Sequence, residues 1–555
     1  MLNALRASST LKTATVRDFS GGWNVLDDDL NLATNYSVDA ENIGYDIDGT
    51  MAVRYGTQLF VNASLALSST GTLINAFYYG SAFVCVFSNG EIIRVYGDKT
   101  LERIWDASIA AALPGAPSGW STTSFVSFAI FNGELIICNG VDKPLKIETD
   151  YTVDYLQDPA TGSNLNVPIC RYVVACNRFL VMAGDPVDPN RVHISSRDTS
   201  GVWYGDADPN NGTYVDIGSV VPEATIIRGI VPFRDRLIVT YAEGSIIGQL
   251  GIFDADGNHT PNFDDGVPQY GGVSHRALVS YGDDVLLLDG VGAASLQRTV
   301  FTGTIRPERT SDLIDPPMTA MMAALSFGSL EDRIFSVYDQ RAGKFMFFIP
   351  NADTAAATTE TRAFVFTYRP SLKVSSWAYY TGWNWTCAFR TSQNNVFFGR
   401  ADGSIYLYGN PENEFEADFL DDVAVNNGEG APINFTWEMP WLDFGRRAKS
   451  KTTKYISFDT RGTARFTCDM FADRIMVDRD LLPIPALSME FVGGDTHGYG
   501  QGQQPYGGGR STSYERLIHW PCKFNIAKLK FSGQAVGGLR FVAITMHYNE
   551  GGIHR

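Results

Sequence analysis

The sequence predicts an all-β fold in which about seven similar units form a β-propeller, with six blades as the alternative count. The first observation is a repeated hairpin pattern, two short apolar runs flanking a turn rich in Gly, Asn or Asp. Seven such hairpins can be read, at residues 75–87, 125–138, 172–182, 229–239, 277–288, 334–348 and 388–398. The second observation is that they begin roughly 45 to 60 residues apart, close to the period of about 40–50 residues that propeller blades have.

The individual elements fit this arrangement. Turns such as Asn132-Gly133 and Asn394-Asn395 tolerate the positive φ angles that a tight hairpin requires. One unit cannot bury its apolar faces alone, so we expect the units to stack around an axis. A strand in the 50s should close the ring beside residues 405–408, because closure removes the exposed edges of the first and last blades. A β-sandwich, or several small β domains, is the alternative arrangement.

Changes in amino-acid composition along the chain predict four segments. They are an N-terminal arm and entry segment (1–49), the propeller (50–410), an acidic linker (411–432) and an additional small C-terminal β domain (433–555). The linker combines acids with Gly, Pro and Asn, which is typical of an exposed connection. A Gly-rich loop at 493–509 lies in the last segment and lacks the Lys-Ser/Thr of a phosphate-binding loop. Helical periodicity is limited to a short stretch at 316–325.

Composition argues against some classes of function. The formal net charge is −17 over 555 residues, whereas surfaces that bind nucleic acid generally are basic. The seven cysteines are odd in number, lie mostly in apolar runs and form no Cys-x-x-Cys motif, so we expect reduced, structural thiols and synthesis in a cytoplasm. The sequence predicts neither a secretory signal nor a membrane span.

No catalytic, cofactor-binding or metal-ligating set is predicted, so the chain is not expected to be an enzyme. The seven histidines are scattered, and neither His-Glu-x-x-His, Gly-x-Ser-x-Gly nor a Walker A loop occurs. Asp254, Asp256, Asn258 and Asp265 occupy EF-hand-like positions. His259 stands where that loop requires Gly, which favours a solvated connection instead.

Two stretches resemble a known family. The first combines Phe19, Ser20, Gly21, Gly22, Asn24, Asp39, Ala40, Asn42, Asp46, Gly49, Arg54 and Gly56. This pattern resembles the opening of the tail hub, or nozzle, proteins of short-tailed bacteriophages, which include the tail tubular protein B type. The second, within 437–471, has Trp441-x-Asp443-Phe-Gly, a basic turn and a strand, and it resembles the C-terminal part of the same family.

The resemblance implies a structural protein of the virion tail, assembled in the cytoplasm of the bacterial host. Such a protein forms a homo-oligomeric ring, expected to be a hexamer, below the adaptor ring under the portal. It continues the DNA channel, retains and then ejects the genome, and anchors spikes or fibres. The implied partners are further copies of the chain, an adaptor (head-to-tail connector) protein, a tail fibre or spike protein, and genomic DNA that passes without sequence recognition.

Two sets of charged residues are candidates for roles in this ring. A basic turn is predicted to contact a neighbouring subunit through Arg446, Arg447 and Lys449. Acidic turns are candidates for the channel lining, at Asp27, Asp28, Asp29, Asp283 and Asp284. An acidic or neutral wall would not bind the phosphates, so DNA could slide. The alternative is that these acids keep the outer surface soluble.

The alternative function is a glycan-binding or glycan-cleaving propeller, either receptor-binding or sialidase-like. Ser196-x-Asp198-x-x-Gly201-x-Trp203 is one residue off the Asp-box turn of sialidase-like propellers. That activity would need three arginines, an acid and a tyrosine nucleophile in a central pocket, and no sequence pattern marks them. A ring-sized native mass favours the tail hub, whereas a monomer that binds sugar favours the alternative.

Overall fold

The structure is a computed structural model. It describes residues 11–46, 49–63, 71–112, 120–204, 212–224, 226–253, 259–281, 284–298, 305–352, 360–369, 374–409, 431–473, 476–477, 483–484, 487–493, 512–517 and 524–553. Within these ranges the secondary structure is almost entirely β, as the sequence predicts.

Seven short strands precede the first complete blade. They are β1 (Lys12–Val16), β2 (Gly22–Trp23), β3 (Tyr36–Ser37), β4 (Asp39–Glu41), β5 (Ile43–Tyr45), β6 (Met51–Val53) and β7 (Thr57–Asn62). Strand β2 runs parallel to β3, and β5 pairs with β6. The other strands of this segment join sheets that later parts of the chain complete.

The first three blades are four-stranded antiparallel sheets whose strands follow each other in sequence. Blade 1 contains β8 (Leu73–Tyr79), β9 (Ala82–Phe87), β10 (Ile92–Tyr96) and β11 (Leu101–Trp105), with helix α1 (Ala107–Ala112) after it. Blade 2 contains β12 (Ser127–Phe131), β13 (Glu134–Cys138), β14 (Leu145–Ile147) and β15 (Val153–Tyr155). Blade 3 contains β16 (Tyr172–Cys176), β17 (Phe179–Ala183), β18 (Arg191–Ile194) and β19 (Thr213–Asp216).

Blades 4 to 6 repeat this order. Blade 4 contains β20 (Ile227–Phe233), β21 (Arg236–Tyr241), β22 (Gly244–Gln249) and β23 (Asn262–Pro268). Blade 5 contains β24 (Val279–Tyr281), β25 (Asp284–Leu288), β26 (Ala293–Arg298) and β27 (Ile305–Arg309), and helices α2 (Asp315–Ala323) and α3 (Phe327–Arg333) follow it. Blade 6 contains β28 (Phe335–Asp339), β29 (Lys344–Pro350), β30 (Thr361–Arg369) and β31 (Val374–Trp383).

Blade 7 closes the ring. Its strands β32 (Trp385–Arg390), β33 (Val396–Arg400) and β34 (Ser404–Tyr408) are completed by the early strand β7. Strands β34 and β7 are antiparallel, with Tyr408 opposite Thr57 and Ile405 opposite Val61. The described part of the chain therefore forms a seven-bladed propeller, and each predicted hairpin supplies the first two strands of one blade.

The reason for this regularity is local. Asn132, Gly133 and Asn394 all have positive φ angles, of 52°, 86° and 63°, as the predicted turns require. The apolar runs beside the turns form buried strands, such as β9 and β17, in which every residue is buried. Buried side chains of neighbouring blades then form shared apolar clusters, for example Val84 and Val86 of blade 1 with Leu135 and Ile137 of blade 2.

The C-terminal domain is built on two very long strands. Its elements are β35 (Ile433–Glu438), β36 (Lys449–Ala472), β37 (Met476–Val477), β38 (Pro483–Ile484), β39 (Leu487–Gly493), β40 (Thr512–Leu517) and β41 (Ala527–Ile553). Strands β36 and β41 are antiparallel from Lys449 opposite Ile553 to Ala472 opposite Ala527, and their register shifts at four places. The predicted linker lies outside the described residues except for 431–432, and the predicted Gly-rich loop lies outside them except for residue 493.

A continuous sheet joins this domain to the propeller. Strand β31 of blade 6 pairs with β4, β4 pairs with β35, and β35 pairs with β41. Strands β1 and β6 also pair with β41. The N-terminal segment thus lies between the propeller and the C-terminal domain and is hydrogen-bonded to both.

Two further observations concern the cysteines and membranes. The six cysteines in the described ranges, Cys85, Cys138, Cys170, Cys176, Cys387 and Cys468, are buried and form no disulfide with one another. No helix among the described residues has the length and apolarity needed to cross a membrane.

Candidate functional site

Residues that carry the family resemblance lie at the joint between the two domains. Asn42 is at its centre, 3% exposed, with φ at 56°. Its side-chain Nδ2 donates to Thr381 Oγ1 of blade 6 at 3.1 Å and to the carbonyl of Asn434 in β35 at 2.8 Å. Its Oδ1 accepts from Arg54 Nε at 2.7 Å and from the Thr381 amide at 2.9 Å. One asparagine therefore connects the N-terminal segment, the propeller and the C-terminal domain.

Arg54 and Asp46 add charge to this joint. The Arg54 guanidinium lies 4.3 Å from the ring centroid of Trp383 and donates to the carbonyl of Thr381 at 3.1 Å. Asp46 lies between two cations, 3.4 Å from Lys344 Nζ in blade 6 and 3.3 Å from Arg540 Nε in β41. Both residues therefore bind elements far away in sequence.

The apolar part of the joint uses Phe19 of the same motif and Trp23, which lies at its variable position. Phe19 is 1% exposed and meets Trp437 of β35 edge to face at 5.7 Å. Trp23 packs against Tyr379 of blade 6 with ring centroids 4.5 Å apart. Gly22 makes this approach feasible, because a Cβ there would lie 2.7 Å from Ser376 Cβ, and its φ is 76°. These side chains belong to one apolar cluster that includes both domains.

A second polar cluster lies where the innermost strands of the blades meet, at the propeller axis. Helix α3 precedes the inner strand of blade 6, and its acids Glu331 and Asp332 face the loops that lead into other inner strands. Arg171, before β16, forms ion pairs with both acids. Ser274, before β24, donates to the Glu331 carbonyl at 2.9 Å, and Arg276 Nη1 donates to the Asp332 carbonyl at 3.2 Å. Helix α3 is thus tied across the axis of its own propeller.

The electrostatics of this cluster are those of a buried structural network. Burial raises the pKa of Glu331 above its usual value, although the charges of Arg171 and Arg228 oppose this. Burial lowers the pKa of His275 to about 4, and Arg276 contributes in the same direction. Arg276 Nη2 donates to the carbonyl of Thr386 in blade 7. The sequence did not indicate this network, because its members come from three separate inter-blade segments and from strands β20 and β32.

The predicted subunit-contact residues form the basic turn of the C-terminal domain. Arg446 and Lys449 each lie 3.6 Å from Glu550 of β41. Arg447 is exposed, and it has no ion pair within the described part of the chain. Of the three cations, Arg447 is therefore the one without an ion-pair partner among the described residues.

The predicted channel-lining acids have different environments. Asp27 and Asp28 are exposed, and Asp27 Oδ2 accepts from Asn24 Nδ2 at 3.0 Å. Asp29 instead binds the C-terminal domain, accepting from Trp441 Nε1 at 3.0 Å with Lys528 Nζ 3.4 Å away.

Of the other predicted acids, Asp284 is in blade 5. Asp284 accepts from Ser295 Oγ at 2.5 Å within this blade, and Asp283 lies outside the described residues. Among the described residues, no hydrogen bond or ion pair joins Asp27, Asp28 or Asp29 to Asp284.

Blade 3 holds a group of metal-ligand side chains that the sequence analysis missed. Ligand atoms of Cys170, Asp185 and His193 all lie within 4.8 Å of one another. His193 Nε2 is 3.0 Å from Asp185 Oδ2. Burial lowers the pKa of His193, which leaves the imidazole neutral near pH 7. The spacing of 15 and 8 residues between these three positions matches no metal motif, so no sequence signal pointed to them.

A cavity of about 450 Å³ opens beside this group. Asp185, His193 and Lys143 line it, whereas Cys170 is buried behind them in the apolar cluster between blades 2 and 3. Lys143 Nζ donates to the carbonyls of Leu165, at 3.2 Å, and Val167. The cavity therefore has a carboxylate and an imidazole on one side, with a thiol buried behind them and a fixed ammonium nearby.

Known proteins resemble this chain in structure only, and at low similarity. No protein-family model and no curated protein sequence matches this chain. Similar solved structures include one described as a streptogramin B lyase (11% identity, TM-score 0.38, 64% of this chain and 97% of that chain). Another is YCF48 bound to D1 peptide (11%, 0.36, 65% and 95%). A third is the extracellular domain of the putative one component system BT4673 from B. thetaiotaomicron (10%, 0.40, 83% and 59%). At these identities the likeness concerns the fold alone.

Proposed function

We propose that this chain is the ring-forming subunit of a phage tail hub, or nozzle, a structural virion protein through which DNA leaves the head. The observation that carries the proposal is the position of the residues that resemble this family. Phe19, Gly22, Asn42, Asp46 and Arg54 all lie at the joint of the propeller and the C-terminal domain. The resemblance therefore falls on residues that set the relative position of two domains.

A fixed joint suits a wall that must hold its shape. The continuous sheet from β31 through β4 and β35 to β41 leaves no hinge between the domains at this place. Hydrogen bonds, ion pairs and a shared apolar cluster reinforce it. A subunit of a channel that retains a packed genome needs this kind of stiffness, because movement between its domains would open the wall.

The proposed channel is the axis of the ring and not the axis of a propeller. Helix α3 is bound across the propeller axis through Arg171, Ser274 and Arg276, so DNA would pass between copies of the chain. The net charge of −17 suits a wall that does not bind phosphates. Asp27 and Asp28 are exposed and stay candidates for that wall, whereas Asp29 is already bound to Trp441 and Lys528.

The proposed partners follow from this role. Copies of the chain, expected to number six in all, would form the ring. An adaptor protein would bind one face of the ring, and spikes or fibres would bind elsewhere on its surface. The exposed Arg447 is a candidate for the contact between copies, since Glu550 already partners Arg446 and Lys449. Assembly would take place in the host cytoplasm, before the finished tail is released in the virion.

Native mass spectrometry and electron microscopy of the purified protein test the proposal. A closed ring near six times the chain mass, with little affinity for duplex DNA at about 50 mM salt, is the expected result. Arg447→Glu should weaken assembly, and Arg390→Glu, a reversal at an exposed arginine of blade 7, is the matched control. A protein that stays monomeric up to high concentration, or a ring that binds DNA tightly, contradicts the proposal.

The alternative, a glycan-binding or glycan-cleaving propeller, has one observation in its favour. Arg171 and Arg228 lie near Glu331 and Tyr172 at the propeller axis, and Arg276 binds the carbonyl of the adjacent Asp332. Arg171 and Arg276 bind groups of the protein itself, however. A monomer that binds or cleaves sialylated glycans, and loses this property on Arg171→Lys, would support the alternative.

A further inference from the structure

We propose that Cys170, Asp185 and His193 form a Zn²⁺ site in blade 3, with three protein ligands and a fourth position open to the neighbouring cavity. This inference is independent of the proposed ring. It starts from the three side chains, which combine the thiolate, carboxylate and imidazole ligands that Zn²⁺ takes in proteins. Their ligand atoms all lie within 4.8 Å of one another.

The geometry is close to that of a bound tetrahedral ion. Two ligands at about 2.0 Å from Zn²⁺ in tetrahedral geometry are about 3.3 Å apart, and His193 Nε2 and Asp185 Oδ2 are separated by 3.0 Å. The remaining ligand separations are at most 4.8 Å. A separation of 4.8 Å exceeds the roughly 3.5 Å expected between a sulfur ligand and a nitrogen or oxygen ligand, so a bound ion would draw the three atoms closer together.

The surroundings of the three side chains determine which ion fits and which coordination position is open to the cavity. Cys170 is fully buried in the cluster between blades 2 and 3, so its ligand atom approaches from the protein interior. Asp185 and His193 line the cavity of about 450 Å³, from which a water molecule can supply the fourth ligand. A thiolate and an imidazole favour Zn²⁺ over Mg²⁺ or Ca²⁺, which prefer oxygen ligands.

Lys143 makes the thiolate form less costly. Its Nζ is held by the carbonyls of Leu165 and Val167 and therefore keeps a fixed position. Its charge acts on both Cys170 and Asp185. Burial nevertheless raises the pKa of the Cys170 thiol well above its usual value, and the charge of Lys143 opposes this only in part. The thiol would therefore lose its proton when the metal binds.

The site would fasten the loop between β17 and β18. Cys170 lies just before β16, Asp185 just after β17, and His193 within β18. A bound ion would therefore link the entry of blade 3 to its second and third strands. Since binding to the folded state alone stabilises it, the melting temperature should rise with Zn²⁺ concentration.

The test uses the full-length protein prepared without metal. One Zn²⁺ per chain should bind, and Co²⁺ should give the intense thiolate-to-metal absorption that reports a Co–S bond. His193→Gln and Cys170→Ser should each weaken Zn²⁺ binding by more than about 100-fold, since loss of an outer-shell partner alone costs 10- to 100-fold. Cys138→Ser is the matched control, because Cys138 is an equally buried cysteine of the same cluster, and it should bind Zn²⁺ as the parent does.

The Co²⁺ spectrum of the parent protein decides the matter even if a variant fails to fold. A Co–S absorption that is retained in Cys138→Ser and displaced by Zn²⁺ supports the site. Binding without such an absorption, no binding at one equivalent, or equal loss in the Cys138 and Cys170 variants overturns it.

Discussion

The joint between the domains depends on the side chain of Asn42, and Asn42→Gly is its sharpest test. Glycine adopts the φ of 56° without strain, so this change removes the side chain and leaves the backbone conformation accessible. The loss should therefore report the side-chain hydrogen bonds and not the turn. We expect a large decrease in the free energy of unfolding.

The size of the decrease follows from the four hydrogen bonds that Asn42 makes. A neutral hydrogen bond contributes about 1 kcal/mol and one to a charged group about 1.5–3 kcal/mol. Three of the bonds are neutral and the fourth accepts from Arg54, which sums to about 4–6 kcal/mol. Water entering the space left behind will restore some of these bonds, so we expect about 3–4 kcal/mol.

Urea unfolding followed by tryptophan fluorescence measures this loss, since Trp383 lies beneath Arg54 at the joint. Asn394→Gly is the matched control, because Asn394 also has a positive φ, of 63°, in a hairpin turn of blade 7. That variant should change the free energy of unfolding by less than about 0.5 kcal/mol, as surface substitutions do. A loss below about 1 kcal/mol for Asn42→Gly, or equal losses in both variants, would refute the reasoning.

Two further predictions concern the same joint and the propeller axis. Gly22→Ala should cost more stability than Gly133→Ala: both have positive φ, but a Cβ at Gly22 meets Ser376 Cβ at 2.7 Å and one at Gly133 meets nothing within 4 Å. The left-handed backbone conformation alone costs about 1–2 kcal/mol in either variant. Equal decreases in the melting temperature of the two variants would therefore contradict the steric argument. Burial lowers the pKa of His275 from 6.5 to about 4, so the unfolded state binds a proton at a pH where the folded state does not. Stability should therefore fall as the pH drops from about 6.5 to 4, by about 2–3 kcal/mol, and His275→Gln should remove that part of the slope; parallel pH curves for parent and variant would contradict this.

The repeat was predictable because its causes are local. The turn residues Asn132, Gly133 and Asn394 and the alternation of apolar runs determine hairpins wherever they occur, and their period indicates blades. The closing strand at Thr57–Asn62 was predictable for a similar reason, since an open ring leaves two unpaired edges. The short helix predicted at 316–325 is found as α2, Asp315–Ala323.

Neither the joint between the domains, the polar cluster at the propeller axis nor the group of metal-ligand side chains in blade 3 was predictable in this way. Asn42 meets Thr381 and Asn434, each more than 300 residues away in sequence, and such contacts have no local period. Arg171 and Glu331 likewise come together only because blade 3 and the helix before blade 6 share one axis.

The sequence by itself determined the elements of this protein and the order in which they repeat. Short-range turn chemistry and the pattern of apolar residues are sufficient for that. Tertiary structure alone decided that helix α3 lies across the propeller axis and that Cys170, Asp185 and His193 converge beside a cavity. The physical reason is that closing the ring brings distant loops to one point, and distances across that ring are not encoded by the spacing of residues along the chain.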